Sequence, residues 1–346
     1  MAKGQIRVVV LGLGVIGGNI TKELLAKKNV KLVGVIDIDP KKVGKDVGEV
    51  LGLTKLIGVK ISDKPQEVFK KAKAQAVVHT TSSSLIKVFP ELKECMRAGL
   101  NVISTCEELS FPFKRHAALS KKIDALAKKY KVTVVGTGIN PGFLMDTLPL
   151  TLTGPCLEVN SITVTRMMNS ARRRIPFQKK VGTGLSAEEF KNNIEQKIIT
   201  GHVGLLESIN MIANALGWRL QETREFPPEP VIAQNAVQTG LGEVLPGKVL
   251  GLKSVAYGKI NGQEVIRLNF IAYAGIEEEY DAIIIKGRPD IHQKILGGIN
   301  GDIGTIAMTI NTIPKAINAL PGLLAMKDLP VPSVLAGDWI GGSGNG

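Results

Sequence analysis

A chain of 346 residues with 44% hydrophobic content can bury a sizeable core and is longer than most single domains, so two domains are expected. Its 44 Lys and Arg against 31 Asp and Glu leave a net charge of +13. The lysines lie in dispersed pairs such as Lys27-Lys28, Lys70-Lys71 and Lys128-Lys129 without interleaved aromatics, which speaks for a solvated surface and against a nucleic-acid partner. Cys95, Cys106 and Cys156 form neither a disulfide framework nor a zinc motif, no helix offers HExxH, and no stretch approaches the roughly 20 apolar residues of a membrane span. A reducing cytoplasm, no membrane and no metal are expected.

The chain opens with a β-branched run that passes through GLGVIG, with Gly12, Gly14 and Gly17, into an amphipathic segment over 20–28. A second buried strand, 31–36, ends at Asp37. Gly12 permits a tight turn, Gly14 lets backbone approach a pyrophosphate at the helix N terminus, and Gly17 allows close packing. Val15 and Ile16 complete the turn expected to touch a dinucleotide. Asp37, twenty positions after Gly17, suits the ribose hydroxyls and argues for NAD. NADP stays possible because Lys41 or Lys42 could offset the charge of Asp37 against a 2′-phosphate.

Strand and helix then alternate. AQAVVHTTSSS is a strand entering a turn, 85–98 a helix, LNVISTCEE a strand, 114–130 a Lys-rich helix and KVTVVGTGINPG a strand. This order predicts an α/β Rossmann domain with a doubly wound parallel sheet over residues 1–145, whose ligands sit beyond the carboxyl ends of the strands. That rule selects 80–83, 105–108 and 136–142 as cofactor loops, hence Thr80, Thr81, Ser82, Thr105, Cys106, Gly138 and Asn140. Of the pair Glu107 and Glu108, one can reach the reacting end of the cofactor as a general base with a raised pKa. The other can cap a helix.

Past residue 146 the pattern becomes that of an α+β catalytic and dimerisation domain extending to 300. LEVNSITVTRMMNS alternates as a half-buried strand, Ser186 with Glu189 is a capping box for a helix over 186–199, and 203–216 is a second, more apolar helix. KVLGLKSVAYGKI and QEVIRLNFIAYA flank Asn261-Gly262, a type I′ hairpin signal. Arg172, Arg173 and Arg174 end a strand, where one or two could clamp a carboxylate, and His202 precedes the apolar helix. His79, His116 and His292 show no partner pattern. Residues 301–346 carry an apolar helix with Asn311 and Pro314 that returns to the first domain, and the terminal GGSGNG is expected to fray.

With these residues placed, the chain resembles the 2,4-diaminopentanoate dehydrogenases and native amine dehydrogenases, with an N-terminal half similar to dihydrodipicolinate reductase. The resemblance is carried by VVHTTSSS, NVISTCEEL, GTGINPGFLMDTLP, ARRRIPFQKKVGTG, TGHVGLLES and GDIGTIAMTINTIP. The paired-histidine motif of dihydrodipicolinate reductase is missing, which counts against that reaction. The resemblance implies a homodimer and the reversible NAD(P)-dependent deamination of an amine or 2,4-diaminopentanoate to a ketone and ammonia. Glu107 is then the catalytic carboxylate, Asn140 orders the nicotinamide end, Asn311 joins the cofactor set, and Glu108, Arg172, Arg173 and His202 with Asn140 face the substrate. A dehydrogenase of a semialdehyde or hydroxy acid, or a nicotinamide-binding regulator without turnover, is the alternative.

Overall fold

The computed structural model describes residues 5–199 and 201–334. The chain divides into two compact units, Met1–Ile139 with Asp302–Gly346, and Asn140–Gly301. The terminal GGSGNG lies outside the described residues.

The first unit begins β1 (Ile6–Leu11), α1 (Val15–Ala26), β2 (Val30–Ile36), α2 (Val47–Val50), β3 (Ile61–Ser62) and α3 (Pro65–Ala72). It continues β4 (Ala76–His79), α4 (Leu85–Arg97), β5 (Asn101–Ser104), α5 (Ala117–Tyr130) and β6 (Thr133–Gly136). The second unit holds α6 (Thr147–Leu152), β7 (Glu158–Asn169), α7 (Ile175–Lys180), α8 (Ala187–Glu195) and α9 (Leu205–Ala215). Its further strands are β8 (Glu222–Glu225), β9 (Glu229–Ile232), β10 (Val237–Thr239), β11 (Gly242–Val244), β12 (Val249–Ile260), β13 (Gln263–Tyr273), β14 (Tyr280–Arg288) and β15 (Ile291–Leu296). The chain then returns through α10 (Gly301–Ile317) and β16 (Gly322–Leu324).

The first sheet has the order β16-β6-β5-β4-β1-β2-β3, and every pairing in it is parallel. Strand order reverses between β1 and β4, which is where such sheets open a crevice at their carboxyl edge. Both faces are covered, so Val8, Val9 and Val10 are all fully buried and the strands read as continuous apolar runs. Val77, Leu92, Val102, Ile123, Val134 and Leu323 share one core, each contributing about 1.5–3 kcal/mol by leaving water. The expected Rossmann unit and the return of the C-terminal segment to it are both present.

Several element boundaries shift for local reasons. The first helix starts at Val15 rather than Ile20, because Gly14 in extended conformation is its N-cap and the helix grows straight out of the glycine turn. The Lys-rich helix starts at Ala117 rather than Lys114, since 112–116 form a turn closed by His116 N–H donating to the Pro112 carbonyl. In the second unit Gly204, at φ +114, displaces the start of α9 to Leu205. The capping box forms as read, Ser186 Oγ accepting from Glu189 N–H and Glu189 Oε2 from Ser186 N–H.

The second sheet runs β15-β14-β7-β13-β12-β8, with β9 also on β12. β7 and β13 are parallel and the remaining pairs antiparallel, so the sheet of this α+β unit is mixed. Asn261 and Gly262 both take positive φ, as a type I′ turn between β12 and β13 requires. One face of the sheet meets α9 and carries Ile162, Val164, Arg166 and Met168 of β7 beside Ile266, Leu268, Phe270 and Ala272 of β13, all buried.

Asp146, fully buried, ties this unit's entry loop together. Its carboxylate accepts from Gly142 N–H at 2.8 Å, Thr147 N–H at 2.6 Å and Ser208 Oγ of α9 at 2.7 Å. Asp146→Ala strands these donors without a partner and is expected to destabilise the protein by about 2–4 kcal/mol in denaturant unfolding. A change below about 0.5 kcal/mol would show that the loop holds without it.

Candidate active site

In the first unit, the glycine turn is locked by contact rather than by length. Gly12 takes φ +96 and donates its N–H to the Ile36 carbonyl at 2.8 Å. A Cβ on Gly17 would lie 2.0 Å from the Gly12 carbonyl oxygen and 2.5 Å from Thr80 Oγ1, so helix and turn touch backbone to backbone. Thr80 Oγ1 completes the lock by donating to the Gly12 carbonyl at 2.7 Å. A Cβ on Gly14 would meet nothing within 4 Å. The α1 N terminus has no side-chain cap and no acidic residue in its first turn. Unpaired N–H groups facing open space are what an anionic pyrophosphate needs, and the residues therefore fit a dinucleotide.

Asp37 stands at the tip of β2 and is held from three sides. Oδ2 accepts from Leu13 N–H at 2.6 Å and from Lys42 Nζ at 3.3 Å, and Oδ1 accepts from Asp39 N–H at 2.8 Å. Burial works to raise its pKa, but the Asp39 and Leu13 donors and the Lys42 ammonium outweigh it and hold the carboxyl below its ordinary value. One acceptor position on Oδ1 is left for a hydroxyl, by the four-site count of a carboxylate.

The carboxyl ends of β4 and β5 are stitched by a network centred on His79, a residue with no partner pattern in the sequence. The ring is fully buried, with Nδ1 2.8 Å from Ser104 Oγ and Nε2 2.7 Å from Glu91 Oε2. Burial pushes the Glu91 carboxyl up, yet the hydrogen bonds from His79 and Thr81 bring it below its usual range. An ionised Glu91 accepting from Nε2–H leaves Nδ1 to accept from Ser104, whose oxygen takes Cys106 N–H at 3.1 Å. Thr81 also donates to Glu91, at 2.6 Å, and Thr105 N–H to the His79 carbonyl at 3.0 Å, so the 105–107 turn is fixed. Ser82 Oγ accepts from Ser84 N–H. Burial pushes the Cys106 thiol up to about 12, and it donates to the Ser83 carbonyl, which leaves no nucleophile there at neutral pH.

On the one-turn helix Glu107–Leu109 the two glutamates part ways. Glu108, only 13% exposed, accepts from Leu85 N–H at 2.7 Å at the head of α4, where Ser84 supplies no side-chain cap. Arg115 and His116 lie 3.5 and 3.3 Å from its oxygens. Glu108 is thereby committed to the fold rather than, as expected, to a substrate. Glu107 is half-buried, and its carboxylate makes no hydrogen bond or ion pair among the described residues. Thr137, just past β6, holds a buried hydroxyl without a partner among those residues, and Gly138 beside it is buried. Asn311 lies half-buried within α10.

In the second unit Asn140 Nδ2 donates to His202 Nε2 at 2.8 Å, which requires the proton of His202 on Nδ1. The His202 ring stacks on Phe270, centroids 4.3 Å apart. Part of its surface still reaches solvent, but dense packing, followed by the charges of Lys180 and Arg166, holds its pKa well below the usual histidine value. It is a neutral acceptor at pH 7. Asn140 Oδ1 is buried without a partner among the described residues. The arginines separate: Arg172 is 75% exposed and pairs with Glu279 at 2.7 Å, Arg174 is exposed, and half-buried Arg173 lies over the Phe177 ring. Sequence reading missed Arg166 and Asp281, both buried on the sheet. A signal existed: Arg166 shares the inward parity of Ile162, Val164 and Met168.

Comparison with known proteins gives a consistent answer. Residues 143–341 match the 2,4-diaminopentanoate dehydrogenase C-terminal domain, and residues 6–110 the N-terminal domain of dihydrodipicolinate reductase. The chain is 36% identical to 2,4-diaminopentanoate dehydrogenase of Acetoanaerobium sticklandii, over 97% of this chain and 96% of that protein. It is 23% identical to an amine dehydrogenase of Streptomyces virginiae, over 94% and 97% of the two chains. The solved amine dehydrogenase of Mycobacterium smegmatis superposes with a TM-score of 0.81 at 25% identity, covering 94% of this chain and 96% of its own.

The division of labour between the glutamates has a measurable consequence. Glu108→Gln is expected to lower unfolding stability by about 1–2 kcal/mol through the weakened α4 cap, whereas Glu107→Gln should stay within about 0.5 kcal/mol of wild type. The reverse order in urea melts would undo the assignment.

Proposed function

The chain belongs to the 2,4-diaminopentanoate dehydrogenase family, and from that premise we propose that it is an NAD(P)-dependent oxidoreductase acting on CH–NH2 donors. It interconverts an amine, 2,4-diaminopentanoate among the candidates, with the corresponding ketone and ammonia. The observation that carries this reading is Glu107: a carboxylate without a partner among the described residues, on a rigid turn at the same carboxyl edge of the sheet as the glycine turn.

Gly12, Gly14, Gly17 and the first turn of α1 would hold the pyrophosphate, with Asp37 on the adenosine ribose. Thr80, Thr81, Ser82, Thr105, Cys106 and Gly138 line the same edge. A bound nicotinamide supplies or takes up the hydride. In the deaminating direction the substrate ammonium loses a proton and its carbon loses the hydride, water adds to the resulting iminium, and ammonium leaves. Glu107 takes the proton from the ammonium and releases it to solvent, stabilises the iminium by its restored charge, then accepts a proton from the attacking water and returns it to the nitrogen that leaves. Asn140, fixed by His202, offers its buried Oδ1 to an N–H donor on the ligand.

The Asp37–Lys42 pair supports use of both coenzymes, with NAD ahead. Facing a 2′-phosphate, Asp37 alone would cost on the order of 4 kcal/mol at an effective dielectric near 20, and an ammonium 3.3 Å away offsets part of that. The resemblance further supports a homodimer, and the unpatterned cysteines support a reducing cytoplasm. Among the described residues no helix is long and apolar enough to cross a membrane.

The direct assay follows reduction of NAD and NADP with a panel of amines including 2,4-diaminopentanoate, then oxidation of the reduced coenzyme by the matching ketone with and without ammonium. Ammonium-dependent turnover is expected. Turnover of hydroxyl or semialdehyde substrates without that dependence would place the enzyme elsewhere. Glu107→Gln should lower kcat by roughly 100-fold or more while coenzyme affinity stays within about threefold; a fully active variant removes Glu107 from the chemistry.

Coenzyme choice is testable separately. Lys42→Ala should raise the kcat/KM preference for NAD over NADP by about tenfold, and Asp37→Ser should shift it toward NADP. Ratios unmoved by both changes would show that this pair does not read the ribose.

A further inference from the structure

The strand β4 is buried along its whole length, yet it ends in a histidine. His79 stands between Leu11 of β1 and Ser104 of β5, at the point where the strand order reverses. Packing alone needs only an apolar side chain there, whereas an imidazole brings two polar nitrogens that must find partners. Both find them. Nδ1 lies 2.8 Å from Ser104 Oγ, and Nε2 lies 2.7 Å from Glu91 Oε2 and 2.9 Å from Thr81 Oγ1.

Serine, histidine and a carboxylate in series make a hydrolytic triad when the serine is open to substrate. Ser104 is fully buried, and its oxygen is occupied by Cys106 N–H at 3.1 Å, so it attacks nothing. What the series delivers is orientation. Glu91 fixes a proton on Nε2, the bare Nδ1 accepts from the Ser104 hydroxyl, and the serine lone pair is left for Cys106 N–H.

Cys106 is the N-cap of the one-turn helix whose first residue is Glu107. The far end of that helix is pinned independently: Ser110 donates its N–H and its hydroxyl to the Glu107 carbonyl, and a Cβ on Gly136 of β6 would lie 2.5 Å from the Leu109 carbonyl carbon. At the near end Cys106 supplies no side-chain cap, and the entering peptide is turned by Ser104. The Glu107 carboxylate has no partner of its own among the described residues, so its aim comes from the backbone that carries it.

We propose that His79, fixed by Glu91, is a positioning residue that acts through Ser104 on the peptide aiming Glu107, and thereby governs the rate of proton transfer at the reacting amine. The inference rests on the reading of Glu107 as the base of an amine dehydrogenase and adds to it a pair of side chains that touch neither substrate nor coenzyme.

Two substitutions divide the imidazole. His79→Asn places an amide group where Nδ1 stood and keeps the Ser104 contact, while His79→Gln reaches the place of Nε2, keeps the Glu91 contact and leaves Ser104 without an acceptor. Ser104→Ala removes the acceptor of Cys106 N–H directly. Steady-state rates are measured on the full chain with NAD and the fastest amine of a panel that includes 2,4-diaminopentanoate, and amide exchange over 104–110 is followed by mass spectrometry without substrate. His79→Gln and Ser104→Ala should each lower kcat by roughly 30-fold with both KM values within about threefold, and their double variant should lose no more than either. His79→Asn should recover kcat to within about fivefold of wild type. Exchange should rise about tenfold in the Gln and Ala variants and stay near wild type in the Asn variant.

A folded Ser104→Ala with wild-type kcat, an Asn variant no faster than the Gln variant, or losses carried by KM would overturn the positioning role. If His79→Gln does not fold, Ser104→Ala decides by the same kcat and exchange, and failure of both to fold overturns it too, because a role in stability then accounts for the network. The two readings separate cleanly. The expected exchange pattern in a protein without amine turnover keeps the positioned turn and sinks the dehydrogenase, amine turnover indifferent to all three substitutions does the opposite, and neither result sinks both.

Discussion

The first unit depends on one close approach, the contact between the Gly17 α-carbon and the Gly12 carbonyl. A single methyl at residue 17 would sit 2.0 Å from that oxygen. Because nothing intervenes, α1 leaves the turn immediately, with Gly14 as an N-cap that supplies no side-chain hydrogen bond. Thr80 clamps the same carbonyl from β4, and the neighbouring residue His79 anchors Ser104 and through it the turn bearing Glu107. The glycine turn and the turn bearing Glu107 are therefore parts of one hydrogen-bonded edge. A disturbance at the glycine turn can reach Glu107 without any long-range mechanism.

Much of this was legible in the sequence because it rests on local chemistry. The alternation of apolar strands and helices gave the Rossmann unit, the glycine spacing with Asp37 gave the turn, and Asn261-Gly262 gave the hairpin register. Less legible were short elements fixed by tertiary contacts, such as α2, β3 and the β10–β11 hairpin, which have too few residues to show a period. His79 shows no partner pattern in the sequence because its partners, Ser104 and Glu91, stand 25 and 12 positions away, a spacing that no motif encodes. The choice between Glu107 and Glu108 could not be read locally either, since it is decided by where the head of α4 falls. Among the arginines, the consecutive run at 172–174 is the conspicuous feature of the sequence. The more buried charge was the one breaking the apolar parity of β7.

The second unit shows how the fold keeps polar groups ready at low cost. His202 is neutral because packing and neighbouring cations exclude its proton, and Asn140 Nδ2 has a fixed acceptor as a result. Asp146 fastens the loop that carries Asn140 to α9. Asn140 is thus oriented by His202 and its loop by Asp146, which leaves little to reorganise at this side chain.

The strand β16 has a consequence for how the chain is made. It pairs with β6 nearly two hundred positions after it, Thr133 Oγ1 donating to the Leu320 carbonyl across a separation of 187 residues. During synthesis the outer edge of β6 therefore emerges long before the segment that covers it, and the whole second unit must be translated in between. For that interval the nascent sheet offers an unprotected row of backbone groups to any other extended polypeptide. Ribosome pausing or premature termination in the intervening stretch would leave a protein whose first half is almost complete yet prone to self-association.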